Sequence, residues 1–436
     1  MKSNRRKRRE VFLSFLAFLI LIIGLSACNN NDADQNAESD NKDSALRLEY
    51  WTPFSGGDNQ FMTEMVDQFN SEFSNIHVVQ VNSRLDDYYS RLRTGILSGN
   101  APDVAIIHTT NLPQFVHNGY IEDLTIPAEQ VELSWSIFNS NILKSTVYDE
   151  KPYAVPLDTH ALVMYYNKPF LQMAGVLDDA DKPIIAEGPD GFRKFLQQIK
   201  DKTPADIAPM AQPSTRIDSV WLWWSLYNQM ADGGDFYNTE GTQALINNET
   251  SLKALTFVND LYQEGLIPPN INDAFKLFYE GKAAVLITGM WGTGAFEQNK
   301  ALDFGVVPVP VLYDHPAVWG DSHTLAVPTK HDMSDEKRKA VLTFSRWMVE
   351  HGDMWAAAGH VPSVTEVLKN DNFNSLKFRN DYVHTANEVA YWPRHDKQWT
   401  TVELLIKEFE KMIYTQQSPE QALQAAVDRI NNELTK

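Results

Sequence analysis

Cysteine is all but absent. Cys28 is the one thiol in 436 residues, so the fold cannot rest on a disulfide framework. Positive charge is scarce as well. Lys and Arg number 38 against 57 Asp and Glu, a formal charge of −19, which argues against nucleic acid, anionic lipid or polyanions as main partners. Beyond Leu25 there is no uncharged apolar run of about 18 residues, so nothing downstream reads as a membrane span. Motifs that announce local chemistry are missing too. There is no His-Glu-x-x-His, no paired-cysteine spacing, no Gly-x-Gly-x-x-Gly and no phosphate-binding P-loop. Neither a metal centre nor a cofactor is expected from spacing alone.

What is present begins with a leader. Met1–Arg9 carries Lys2, Arg5, Arg6, Lys7, Arg8 and Arg9, and Val11–Leu25 follows with fifteen uncharged residues. This is a basic segment and an apolar segment of signal-peptide length. It ends in Leu25-Ser26-Ala27-Cys28, which resembles the lipobox of bacterial lipoproteins, whose cysteine thiol takes a lipid anchor. The chain is therefore expected to lose residues 1–27 and to be held at the outer face of a cell membrane through Cys28. Removing those residues takes the formal charge from −19 to −24. Residues 28–45 are rich in Asn, Asp, Ser and Gln and hold no large apolar side chain, so they read as a disordered tether. A flexible chain of that length spans about 20–25 Å end to end. A long tether and strong basic segment lean towards a Gram-positive membrane.

From Leu46 onward short β-rich runs alternate with helical ones. Leu46–Tyr50, Ile76–Val81 and Asp103–Ile107 read as strands, with helices over Asn59–Phe73 and Asp86–Leu97 between them. Val104–Ile107 is continuously apolar, as in a parallel sheet covered on both faces. Long helices are predicted at Pro189–Lys202, Ile217–Met230, Thr239–Glu264, Ser334–His351, Thr400–Tyr414 and Ser418–Leu434, and apolar strands at Ala283–Thr288 and Phe304–Val309. So long a chain exceeds one core, and two α/β lobes are expected. Lys151–Pro169 reads as the first crossing between them. Pro152 and Pro156 withhold ladder donors, which marks a connector or edge pair, with Asp158-Thr159-His160 as a polar corner facing the cleft. Pro308 and Pro310 mark a second crossing. These breaks assign 46–155 plus 269–312 to the N-terminal lobe and 156–268 plus 313–436 to the C-terminal lobe.

Four segments carry a resemblance. Leu97-Ser98-Gly99-Asn100-Ala101-Pro102-Asp103-Val104, Tyr153–Pro156 with Val163–Lys168, Phe278–Trp291, and Gly359-His360-Val361-Pro362 resemble, in this order, segments of the family 1 extracellular solute-binding proteins. No single segment is diagnostic; four in order behind a lipobox are a strong signal. The resemblance covers nearly all of the chain after the leader. It implies a type II periplasmic-binding-protein-like α/β fold of two lobes, each a sheet flanked by helices, with a ligand cleft between them. It also implies a monomeric receptor that closes on a sugar or oligosaccharide and delivers it to the permease of an ABC importer.

The residue types agree with a sugar. Trp and Tyr stack on the apolar C–H faces, while Asp, Asn, His and Arg take the hydroxyls. Among eleven tryptophans, Trp51, Trp291 and Trp319 fall at strand ends facing the expected cleft, although each also has a reading as core. Trp291 sits among Gly289, Gly292 and Gly294, whose missing side chains would let a ligand approach. Asp321, Asp158 and His160 are candidate hydroxyl partners, and His108 and Thr109 follow from strand-end geometry. Trp221, Trp223 and Trp224 cannot share one helix face, so one ring is left for a cleft. Tyr165-Tyr166 offers an iron-binding pair only on paper, since neighbours on a strand face opposite sides. A polyamine or other organic solute would use the same aromatics and acids. A surface glycoside hydrolase would need two carboxylates about 5–9.5 Å apart, to which no local motif points.

Overall fold

The computed structural model describes residues 45–54 and 57–436. The expected signal peptide, Cys28 and the expected tether up to residue 44 lie outside the described residues. No described helix is long and apolar enough to cross a membrane.

The strands, in chain order, begin with β1 (Leu46–Thr52), β2 (Ile76–Asn82) and β3 (Val104–His108). A two-residue hairpin, β4 (Val147–Tyr148) and β5 (Lys151–Pro152), precedes β6 (Val155–Pro156) and β7 (Asp158–Asn167). Then come β8 (Ala208–Ala211), β9 (Ala283–Gly289), β10 (Phe304–Pro308), β11 (Val318–Asp321), β12 (His323–Ala326), β13 (Val361–Pro362) and β14 (Val389–Ala390). The first sheet runs β2-β1-β3-β12-β6, parallel through β2, β1 and β3 and antiparallel from β12 on. The second runs β14-β11-β7-β9-β8, with β10 and β13 also paired to β7.

Helical periodicity decides what covers the sheets. Asp58–Glu72 buries Met62, Met65, Val66 and Phe69, the one-face spacing of an amphipathic helix. These side chains meet Tyr50 and Phe344 in the first lobe's core. Helix Asp218–Asn228 buries Trp223 and Trp224 completely in the second. The predicted helix over Thr239–Glu264 is shorter, Glu249–Gln263. The reason is local: Gly241 turns the chain at φ +67°, and the Asn248 side chain caps the helix by accepting from the Ser251 amide.

The Leu97–Val104 segment has a structural purpose. Gly99 closes the preceding helix at φ +77°. Asp103 then accepts from the Glu49 amide at 2.8 Å and pairs with Lys330 at 2.7 Å and Lys337 at 2.9 Å. It pins β3 beside β1.

Two expectations need correction. Asp158-Thr159-His160 is not a corner on an edge pair. It opens β7, a ten-residue strand buried throughout and at the centre of the second sheet. Pro152 and Pro156 both precede it, and no proline interrupts 158–167, so the ladder donors are intact. The crossing is Leu157 alone. The lobe boundaries also move. Segment 269–312 joins the second sheet, because β9 and β10 bury their apolar faces by pairing antiparallel with β7. The chain returns to the first lobe at Ser322, between β11 and β12, rather than at Pro308–Pro310. Helix Asp335–Glu350 then packs Val341, Phe344 and Met348 into the first core. Hence the first lobe takes 46–157 and a segment starting at 323, and the second takes 158–321 and the C-terminal helices.

Candidate ligand-binding site

A cavity of about 910 Å³ lies between the lobes. From the first lobe Phe54, Tyr89, His108 and His323 line it; from the second come His160, Trp221, Trp291 and Trp319, with Asp321 at the seam.

Three tryptophans form one wall. Trp221 and Trp319 stack with centroids 4.0 Å apart and planes at 19°. Trp291 stands edge-on to both, at 5.9 Å and 6.4 Å. The indole N–H groups of Trp221 and Trp319 are buried and have no protein acceptor among the described residues. The wall thus offers flat apolar faces to the cavity.

The glycines near Trp291 serve the protein. A Cβ on Gly289 would run into the Trp291 ring, one on Gly292 into Phe296 and Phe275, and one on Gly294 into the Ala357 carbonyl. They make room for packing, and the ring reaches the cavity by folding back over Gly289. Contrary to the expectation, they do not make room for a ligand.

The opposite side is polar. The Tyr89 hydroxyl accepts from the His108 amide at 2.9 Å and lies 2.6 Å from His108 Nδ1. Burial, with the neighbouring His323 and His160 rings, pushes the His108 imidazole well below its usual range, so it is neutral. Asp321 ties the lobes together. Its Oδ1 accepts from the Thr109 hydroxyl, the Thr110 amide at 3.3 Å and the Ser322 amide at 2.8 Å.

Asp158 is beneath the cavity floor. Its Oδ2 accepts from Trp355 Nε1 at 2.6 Å and lies 2.7 Å from His323 Nδ1 and 3.3 Å from His360 Nδ1. Its Oδ1 accepts from the His323 amide at 3.0 Å and lies 3.1 Å from His160 Nδ1. Burial would raise this carboxyl, but the imidazoles of His323 and His360 hold it well below the usual carboxylate range. Burial equally opposes a charged His323, yet Asp158 keeps that imidazole above its ordinary value.

Of the sequence candidates, His108, His160, Trp291, Trp319 and Asp321 meet at the cavity. Thr109 stands behind Asp321 as its hydrogen-bond donor, and Asp158 stands behind the histidines. Trp51 is elsewhere. Its side chain points to the helix Leu85–Leu97, donates to Glu49 at 2.6 Å and lies under the Arg91 guanidinium at 4.2 Å. Alternation along β1 sends it to the helix-covered face, and Phe54 at the end of the same loop faces the cavity instead. Tyr165 and Tyr166 are buried away from the cleft, bonded to Thr293 and to the Asp181 carbonyl. Trp392 lines the cavity, whereas Arg394 covers Tyr148. The sequence reading missed His323, Tyr89 and Asp218, and saw His360 only as part of a loop. Asp218, on the helix beside Trp221, is nearly buried; burial pushes its carboxyl up to about 6, opposed by Arg216 at 3.7 Å.

The relatives agree with this architecture. The chain is 24% identical over 310 residues to the maltodextrin-binding protein MdxE of Bacillus subtilis, covering 69% of this chain and 67% of that one. It is 24% identical to the multiple sugar-binding protein of Streptococcus mutans, covering 78% and 80%. The ABC substrate-binding protein Lmo0181 of Listeria monocytogenes, solved with cycloalternan, superposes with a TM-score of 0.77 at 21% identity, covering 90% of this chain and 99% of that one. The family profile of bacterial extracellular solute-binding proteins matches residues 55–355, and with its two-lobe fold the chain belongs to that family.

Proposed function

We propose that this protein is the membrane-anchored receptor of an ABC importer for a sugar or oligosaccharide. It captures the ligand between its lobes and hands it to the permease without changing it chemically. Cys28 is the lipid anchor at the outer face of the membrane. One observation carries the carbohydrate reading: Trp221, Trp319 and the perpendicular Trp291 line one side of the cavity as a wall of indole rings, with polar side chains across from it. A pyranose ring has apolar faces for the aromatic wall and hydroxyls for the polar groups. His108, His160 and Asp321 supply polar groups across the cavity. Relatives named for maltodextrin and multiple sugars support the same class.

The test is a thermal-shift and calorimetric screen against mono- and oligosaccharides. A ligand at a hundred times its Kd should stabilise the protein by about 2.7 kcal/mol. A shift with polyamines and none with carbohydrates would move the assignment to organic cations. Loss of the sugar with product release would make the protein a hydrolase.

A further inference from the structure

Asp158, His160, His323 and His360 come from three stretches of chain that local spacing cannot connect. Each offers one donor atom, and the four atoms lie within 4.8 Å of one another. In all three imidazoles Nδ1 faces the carboxylate, at 3.1, 2.7 and 3.3 Å. A tetrahedral ion with bonds of about 2.0–2.1 Å holds its ligands about 3.3 Å apart, so small movements would seat one. We propose that these four side chains form a binding site for a divalent transition metal of the zinc class, placed where the chain passes between the lobes.

His360 is the independent pointer. It is fully buried, yet neither ring nitrogen makes a hydrogen bond in the structure. Its Nδ1 stands near Asp158 Oδ2 without the angle of a hydrogen bond. An imidazole left like this costs stability unless something else takes its lone pair. Three imidazoles and one carboxylate are the nitrogen and oxygen set that zinc favours over calcium or magnesium. The orienting contacts are built as well. Trp355 donates to Asp158 and lies flat on the His360 ring at 4.4 Å and 4°. His160, His323 and His360 also border the ligand cavity, which supplies an entry path.

The position gives the ion a consequence. Asp158 follows the first crossing, His323 follows the second, and His360 immediately precedes β13, which pairs with β7. One ion would bind all three segments together at the junction on which the lobes turn.

The untagged mature chain, treated with chelator and dialysed, is titrated with Co²⁺ and with Zn²⁺ against a chromophoric indicator. The expected result is one ion per chain, visible tetrahedral cobalt bands that Zn²⁺ abolishes, and a raised Tm. His360→Ala and His160→Gln should each remove the cobalt bands. Trp355→Phe should weaken Zn²⁺ binding about tenfold while keeping the bands. Absence of stoichiometric binding by the wild type, which needs no variant to fold, would overturn the proposal. Cobalt bands that persist in both histidine variants would also overturn it, since the ion would then sit elsewhere.

Discussion

Trp291 is held by what it touches and by what is missing beneath it. Its ring packs edge-on to His160 at 5.6 Å as well as to the tryptophan stack. As an aromatic anchor on a sugar, Trp291→Ala should cost about 2 kcal/mol of binding, roughly 30-fold in Kd, as calorimetric titration would read. The ligand-free protein should melt almost unchanged, because the ring is only half-buried. Gly289→Ala should imitate the loss. The backbone there, at φ −67°, accepts any residue, but the added methyl displaces the indole. Tryptophan fluorescence would report the displacement. Asp218 sets a pH dependence. Its carboxyl is held at about 6 in the folded chain, above the ordinary 3.8, because burial disfavours the charge. The folded state therefore binds the proton more tightly. That contribution is complete below the unfolded value and is lost as pH rises through about 6, an amount of about 3 kcal/mol at most. Urea denaturation of Asp218→Asn should show a shallower fall in stability between those pH values than the wild type. Equal slopes would place the carboxylate in water.

At the scale of elements, β7 is the strand around which the second lobe is assembled, and its first residues are also the floor of the site. A different device fixes the helices beside it. Arg379, 1% exposed, donates to the carbonyls of Ala356, Ala357 and Lys377 and pairs with Glu297 at 2.6 Å. It joins helix Thr293–Gln298 of the second lobe to the end of helix Gly352–Ala356, which packs with the first. Arg379→Met keeps most of the volume but takes the donor from the Ala357 and Lys377 carbonyls and the cation from Glu297, while Ala356 still accepts from the Gly359 amide at 2.9 Å. The expected loss is about 3 kcal/mol of unfolding free energy, measured by denaturant titration. An unchanged midpoint would show that water replaces the guanidinium without cost.

For the whole molecule, two of the crossings between the lobes are single residues, Leu157 and Ser322, and such short connections permit a hinge. Ligand should therefore bring the lobes together. Small-angle scattering with a confirmed ligand is expected to give a smaller radius of gyration than without it; superimposable curves would mean a rigid pocket. The proposed attachment to the membrane rests on the leader alone. Cys28→Ala should abolish labelling by a fatty-acid probe and release the chain in soluble form, and undiminished labelling would end the lipobox assignment.

Much of this was legible one residue at a time. The alternation of Leu46–Tyr50, the continuous apolar Val104–Ile107 and the helical stripe of Met62, Val66 and Phe69 follow from periodicity, because burial on a strand or helix repeats at fixed intervals. The ordered family segments then carried the two-lobe arrangement. Periodicity says nothing of which sheet a strand joins, so 269–312 reads as part of the first lobe although β9 and β10 pair with β7 in the second. It also cannot aim a side chain at a strand's end, which is why Trp51 turned out to serve its own helix. The Asp158–His160–His323–His360 cluster shows the limit most clearly. Its members are spread over some two hundred residues, and no spacing rule links them. Only the two crossings and the approach to β13 bring those side chains to one point, because that is where the sheets exchange strands.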